Sequence, residues 1–261
     1  MWSLHLILLF ACCMCDADSA PKPTRPLKFW WDYVQDNDTA KKIGVGVQVT
    51  AWILYDDAYK DVNKVPMNVG AAKPSANDKS ATEHFNNLFK KVQHYFNNRS
   101  IMINITVFSV EENNNLSVHF EKGVSLDGYH TLENLTKYGD SKHAPNNTIF
   151  FLYTWGEKEG SKKFRGFVDF HNRHGPSRPG ASEVATKGTF CTTNTSAAVI
   201  RHLAKNTNYW STVKSMADIF GSPHFIAFTD KDREKMADRF SHCGKHTEEQ
   251  DNISGSDILH C

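Results

Sequence analysis

The stretch Asn147 to Trp155, NTIFFLYTW, constrains the fold more than any other, because it offers no polar face to water. A continuous apolar run of strand length is what the central strand of a parallel sheet looks like. The neighbouring segments fit such a sheet. Ile43 to Tyr55, IGVGVQVTAWILY, reads as a first strand, with Val45, Val47, Val49 and then Trp52 to Leu54 buried on both faces. Phe85, Leu88, Phe89, Val92 and Phe96 recur at helical spacing and predict an amphipathic helix over about 80–97. A second strand is expected from Ile101 to Val110, then a polar hairpin-like segment, NNNLSVHF, and a second helix near Gly128 to Tyr138.

Further on, FRGFVDF (Phe164 to Phe170) alternates like an edge strand, and short strands are expected at GTFC (Gly188 to Cys191) and AAVIRHL (Ala197 to Leu203). Thr229 and Asp232 are spaced as a capping box for a last helix over Asp230 to Phe240. Strands and helices alternate, which argues for an α/β fold: a mixed, mostly parallel sheet with helices packed on it, in a single domain over 43–261.

The N-terminus sets the compartment. LHLILLFACC (Leu4 to Cys13) is an apolar run too short to span a bilayer, and small residues follow it around Ala17 to Ala20. Residues 1–19 are expected to be a secretory signal peptide, and 20–42 a Pro-rich, extended N-terminal segment; the mature protein is expected to be secreted and extracellular. Removing Asp16 and Asp18 with the signal raises the formal charge from +1 to +3. That small, evenly spread charge argues against nucleic acid as a partner, and no other segment has membrane-spanning length. Three of the six cysteines leave with the signal, so Cys191, Cys243 and Cys261 remain. An odd count means one disulfide and a leftover thiol, or an intermolecular bridge. Glycosylation acceptors occur at Asn37, Asn98, Asn104, Asn115, Asn134, Asn146, Asn194 and Asn252, a density that predicts a glycoprotein.

The segment TVKSMADIFGSPHF (Thr212 to Phe225) carries Val213, Met216, Ala217 and Phe220 at helical spacing, with Gly221 and Pro223 as the stop. Other candidate chemistry is sparse. His171 with His174, and His242 with His246, have spacings compatible with a metal, although solvated histidines are the commoner case in a chain with 13 of them. Asp56, Asp57 and DKDREK (Asp230 to Lys235) are expected to be solvated turn and helix charges. Trp30 and Trp31 are expected to pack back on the core. There is no Gly-rich phosphate loop and no nucleophile elbow.

Taken in order, the first strand, the long helix, NNRSIMINITVFSV, NTIFFLYTW, GTFC and FSHC (Phe240 to Cys243) resemble the catalytic domain of reprolysin-type metzincin metalloproteases. The resemblance implies a three-layer zincin-like domain. VQVTAWILYDD, KVPM, HTLENLTKYG and NNTIFFLYTW further resemble the twenty-eight-kilodalton metastriate family, secreted salivary proteins of hard ticks.

The resemblance places MADIFGS where the protease family has its HExxH zinc motif. Asp218 then stands for the first ligand, Ile219 for the general base and Ser222 for the second ligand, with His224 a stand-in for the third His only if intervening residues are deleted. A catalytic zinc needs about three protein ligands and an open position for water, and Ile219 has no proton to exchange. No Met-turn is recognisable, since Met236 falls within the last predicted helix. The expectation is therefore a non-catalytic metalloprotease-like protein without metal or cofactor, binding a host extracellular protein or small host molecule during blood feeding. The alternatives are an active or residually active zinc metalloendopeptidase and a binder of small host agonists. The resemblance also implies a Cys191–Cys261 disulfide, leaving Cys243 unpaired; Cys191–Cys243 is the competing pair.

Overall fold

The computed structural model describes residues 40–60, 78–120, 125–155 and 181–244. The expected signal peptide, most of the segment expected to be extended, FRGFVDF, Trp30, Trp31, His171, His174, His246, Cys261, Asn37 and Asn252 lie outside the described residues. In chain order the first half comprises β1 (Ile43–Tyr55), α1 (Asp57–Lys60), α2 (Asp78–Asn97), β2 (Ile101–Glu112), β3 (His119–Phe120) and β4 (Ser125–Leu126). The second half comprises α3 (Gly128–Ser141), β5 (Thr148–Thr154), β6 (Glu183–Ala185), β7 (Ser196–Arg201), α4 (Trp210–Ile219) and α5 (Asp230–Ser241).

Every residue of β5 is buried, as its lack of a polar face requires. It pairs in parallel with β1 on one side and with β7 on the other. β2 extends the sheet in parallel beyond β1, and β6 closes the opposite edge antiparallel to β7. The five-stranded order is β2-β1-β5-β7-β6, a mixed and mostly parallel sheet. β3 and β4 form a separate antiparallel pair.

Side chains alternate across a strand, so each central strand feeds two cores. Val47, Val49, Ala51 and Ile53 of β1, with Ile149, Phe151 and Tyr153 of β5, join Phe85, Phe89 and Phe96 of α2, Met216 of α4 and Met236 of α5. Phe150, Leu152, Ala197 and Val199 point the other way and join Leu126 and, from α3, Leu135. Helices on both faces make three layers. The apolar stripe of α2 is buried throughout, from Phe85 to Phe96, and each such residue contributes about 1.5–3 kcal/mol of transfer free energy. Among the described residues, no helix is long and apolar enough to cross a membrane.

Several expectations need correction. Val45 is exposed, because the pairing of β1 with β2 shifts register between Ile43 and Val47, where Gly44 and Gly46 both take positive φ and the strand bulges out of the ladder. GTFC is a turn rather than a strand: Gly188 and Cys191 both have positive φ, at +62° and +55°, which breaks an extended run. Its amides instead serve the end of α4, Gly188 N–H donating to the Asp218 carbonyl at 2.9 Å and Phe190 N–H to that of Ile219 at 3.3 Å. These bonds satisfy carbonyls that a helix C-terminus otherwise leaves unpaired.

The disulfide joins Cys191 to Cys243, with Cα atoms 5.0 Å apart, and not to Cys261 as the protease resemblance implied. The GTFC turn delivers Cys191 to the end of α5, where Cys243 is held by the last turn through the Cys243 N–H to Phe240 carbonyl bond. The two Cα atoms therefore stand within bridging distance.

Candidate functional site on helix α4

Helix α4 runs from Trp210 to Ile219 and stops at Phe220; Gly221 takes φ +94°, a conformation that favours glycine, and Pro223 follows. Thr212, Val213, Ser215, Met216, Ala217 and Ile219 are buried, so most of the helix surface faces protein. Phe220 extends the packing, its ring 4.9 Å from Phe190, 5.1 Å from Phe240 and 5.6 Å from Phe96.

The four residues that the protease resemblance sets against zinc-site positions do four separate things. Ile219 is wholly buried in the main core. Ser222 is also buried, and its hydroxyl donates to the His224 carbonyl at 2.7 Å and accepts from the His224 N–H at 3.1 Å, closing a turn on itself. His224 lies on the surface with its side chain 58% exposed, and its Nδ1 is 2.9 Å from an Asp232 carboxylate oxygen. Asp218 is half-buried; burial raises its carboxyl above the usual value, against the pull of Lys214 and Lys187 and with Glu183 adding to the rise. The Lys214 ammonium is itself paired with Glu183. One isolated carboxylate, a core aliphatic, a hydroxyl saturated by its own turn and an imidazole held by Asp232 do not fit a catalytic zinc.

The acidic segment DKDREK is not uniformly solvated. Asp232 is buried, and the predicted capping box is present: the Thr229 N–H and hydroxyl donate to its carboxylate at 2.9 and 2.6 Å, and the Asp232 N–H donates to the Thr229 hydroxyl at 3.2 Å. Burial alone would raise the Asp232 carboxyl, but the bonds from Thr229 and His224 outweigh it and hold the group below the usual carboxylate range. Met236 is buried within α5. His242 is exposed and donates from Nδ1 to the Asp238 carbonyl, which occupies it as a helix-end contact.

A second polar cluster lies where the parallel strands end, and sequence reading missed it. Asp56, expected in solvent, is buried; it accepts from the Tyr59 N–H at 3.0 Å, the Ser117 hydroxyl at 2.8 Å and the Thr154 hydroxyl at 2.5 Å. Asp57 is exposed as expected. His202, just past β7, is 3% exposed, and its Nε2 lies 3.3 Å from Nε2 of His84 on α2. The Tyr59 ring stacks parallel to His202, and Tyr153 meets it edge-on while pairing its hydroxyl with Thr212. Burial pushes His202 down to about 3, with His84 adding to the fall, and burial lowers His84 as well. Both rings are neutral at physiological pH.

The glycosylation acceptors can also be placed. Asn98, Asn104, Asn115, Asn146 and Asn194 are exposed, and Asn134 is half-buried with its amide donating to the Leu116 carbonyl at 3.3 Å. Asn104 sits within β2, yet on its outer side, bonded to Gln48.

The chain matches no described protein family and no curated protein. Among solved structures it is similar to metalloproteinase-II from Bacteroides fragilis, with a TM-score of 0.39 and 9% identity over 77% of this chain. The match spans about half of that protein, 55% of its length.

Proposed function

We propose that this protein is a secreted, glycosylated, non-catalytic relative of the metzincins, and that it acts by binding a host extracellular protein or small molecule. The salivary role is taken from the sequence resemblance to the metastriate tick family, carried by stretches such as HTLENLTKYG. The observation that carries the non-catalytic reading is the position of Ile219. The residue standing where a metalloprotease needs its general base is a wholly buried core side chain, so no water bound near α4 could be activated from there. Ser222, in place of the second ligand, is committed to its own turn. Nothing in this assignment requires a cofactor for chemistry, and the surface acceptors on β2 and around Asn194 would carry glycans.

The reading is tested on protein purified from secreting eukaryotic cells. N-terminal sequencing is expected to begin near residue 20, and enzymatic removal of N-glycans is expected to lower the apparent mass. Incubation with unfolded protein substrates and added zinc is expected to give no cleavage that a chelator abolishes. Chelator-sensitive cleavage by the parent that an Asp218→Ala, His224→Ala variant loses would overturn the non-catalytic assignment.

A further inference from the structure

Helix α3 packs over β5, β6 and β7. Its reach ends at Trp52 of β1, where Lys142, the C-cap of α3, holds its ammonium 5.4 Å from the ring centroid. Beyond Trp52 lies β2, the outermost strand of the sheet among the described residues. Ile103, Ile105 and Val107 of β2 pack into the main core, so alternation turns Asn104, Thr106 and Phe108 to the α3 side. All three are exposed. We propose that an N-linked glycan on Asn104 lies along this row and covers the rings of Phe108 and Trp52, shielding the open edge of the sheet; the proposal rests on the glycosylated reading above.

A bulge creates the patch. β1 and β2 pair Ala51 with Val107 and then Trp52 with Ser109, which leaves Phe108 as the extra residue. Its ring stands 5.1 Å from that of Trp52, which stacks in turn on Phe150 at 5.4 Å. Phe108 is 65% exposed, more than any other aromatic side chain among the described residues. An exposed ring on an outermost strand invites pairing with another chain, and native edges are blunted against it. The bulge interrupts the ladder at one point, and a bulky hydrophilic cover beside it blocks the rest.

The occupant follows from the strand itself. Asn104-Ile105-Thr106 is an acceptor sequence. Asn104 and Phe108 are four residues apart on one face, about 13 Å along the strand, within reach of the first sugars of an N-glycan. Asn104 pairs in register with Gln48, and its Nδ2 donates to Gln48 Oε1 at 2.7 Å. Glycosylation joins Nδ2 to the sugar C1 in place of one hydrogen; the C1–O bond to the donor's lipid pyrophosphate breaks, and the proton leaves with that group. The other Nδ2 hydrogen still donates to Gln48, so the first sugar starts from an amide fixed beside the sheet. Pyranose rings carry apolar C–H faces that pack on the electron-rich faces of aromatic rings, while their hydroxyls stay in water. Asn98 precedes β2 and Asn115 follows it, so neither acceptor shares the row.

The test uses the full protein secreted from eukaryotic cells. Glycopeptide mass spectrometry reads occupancy at each acceptor. Hydroxyl-radical footprinting reads access to Phe108, with Tyr129 of α3, exposed elsewhere, as the internal reference. Asn104 is expected to be occupied. Asn104→Gln, which loses the glycan, is expected to raise oxidation of Phe108 several-fold and to leave Tyr129 unchanged. Thr106→Ala, which destroys the acceptor without touching Asn104, is expected to do the same. Thr106→Ser keeps the acceptor and the low Phe108 signal, and Asn115→Gln leaves that signal unchanged. An unmodified Asn104 with other acceptors occupied overturns the proposal and leaves the glycosylated reading standing; a chain bare at every acceptor overturns both. Equal Phe108 oxidation in the occupied parent and both glycan-free variants also overturns the proposal, and twice the chain mass in analytical ultracentrifugation would then assign the patch to a second copy of the chain.

Discussion

Replacing Cys191 and Cys243 together with alanine removes the bridge between the GTFC turn and the end of α5. The two cysteines are 52 residues apart in sequence, and the chain-entropy relation assigns a loop of that size roughly 4 kcal/mol of stabilisation, through the ensemble it denies the unfolded chain. Both cysteines are buried, and alanine fills less of each site, so the loss is not expected to be smaller on packing grounds. The positive φ of Cys191 is equally strained for alanine and cancels in the comparison. For a domain of this size about 4 kcal/mol corresponds to a drop in Tm of roughly 8–15 °C. Urea unfolding of parent and double variant, followed by circular dichroism, measures the difference, and non-reducing peptide mapping of the parent identifies the bridge. A difference under about 1 kcal/mol, or a peptide joining Cys191 to Cys261, would refute the reasoning.

Three further outcomes follow from the packing. Gly139→Ala is expected to destabilise the fold by roughly 1–2 kcal/mol despite alanine's better helix propensity, because a Cβ there meets Thr195 at 2.6 Å and the buried Phe150 ring at 2.8 Å; an increase in urea midpoint would sink this. Thr229→Ala removes the capping box of α5 and should cost about 1 kcal/mol, read as a shift of midpoint without change of slope. His202, held down to about 3, is protonated more readily in the unfolded chain, where it titrates near 6.5. Its contribution is therefore complete above about pH 6.5 and is lost as pH falls toward 3, by roughly 2 kcal/mol at pH 5. His202→Phe should flatten that part of the pH dependence, and identical profiles for parent and variant would show the assignment to be wrong.

The layers of this fold were legible where burial is two-sided or helically periodic. NTIFFLYTW and the Phe85-to-Phe96 stripe state their environment outright, and Thr229 with Asp232 announces a helix start by chemistry that is local. Three kinds of feature were not legible. β6 has three residues and borrows its conformation from β7, so its own pattern is too short to register. GTFC has the composition of a strand, but its backbone is set by what it caps, the carbonyls of α4, which only the tertiary structure supplies. Asp56 and the His84–His202 pair carry no sequence signal that links their partners: 98 residues separate Asp56 from Thr154, and 118 separate the histidines. The one available clue was His202 closing an apolar strand, where a polar ring has to find a partner in the fold.

Helix α4 shows why writing a protease motif into this sequence is expected to fail. Asp218→His, Ile219→Glu and Ser222→His together would rewrite MADIFGS toward the protease pattern. Ile219 is wholly buried, so its replacement forfeits about 1.5–3 kcal/mol of burial and strands a carboxyl among apolar side chains at a further cost of about 1–3 kcal/mol. Ser222 is buried too, and an imidazole there overfills its turn by about 1–3 kcal/mol while removing the hydroxyl that closes it onto His224. These costs sum to an amount comparable with the entire stability of an ordinary domain, about 5–15 kcal/mol. The triple variant is therefore expected to unfold at much lower urea than the parent, or to fail to accumulate, and to show no chelator-sensitive proteolysis. Asp218→His alone, at a half-buried position, should fold normally and serves as the control. A triple variant as stable as the parent would mean that the base position is not the core position assigned to it, and that the helix end can open toward solvent as a protease requires.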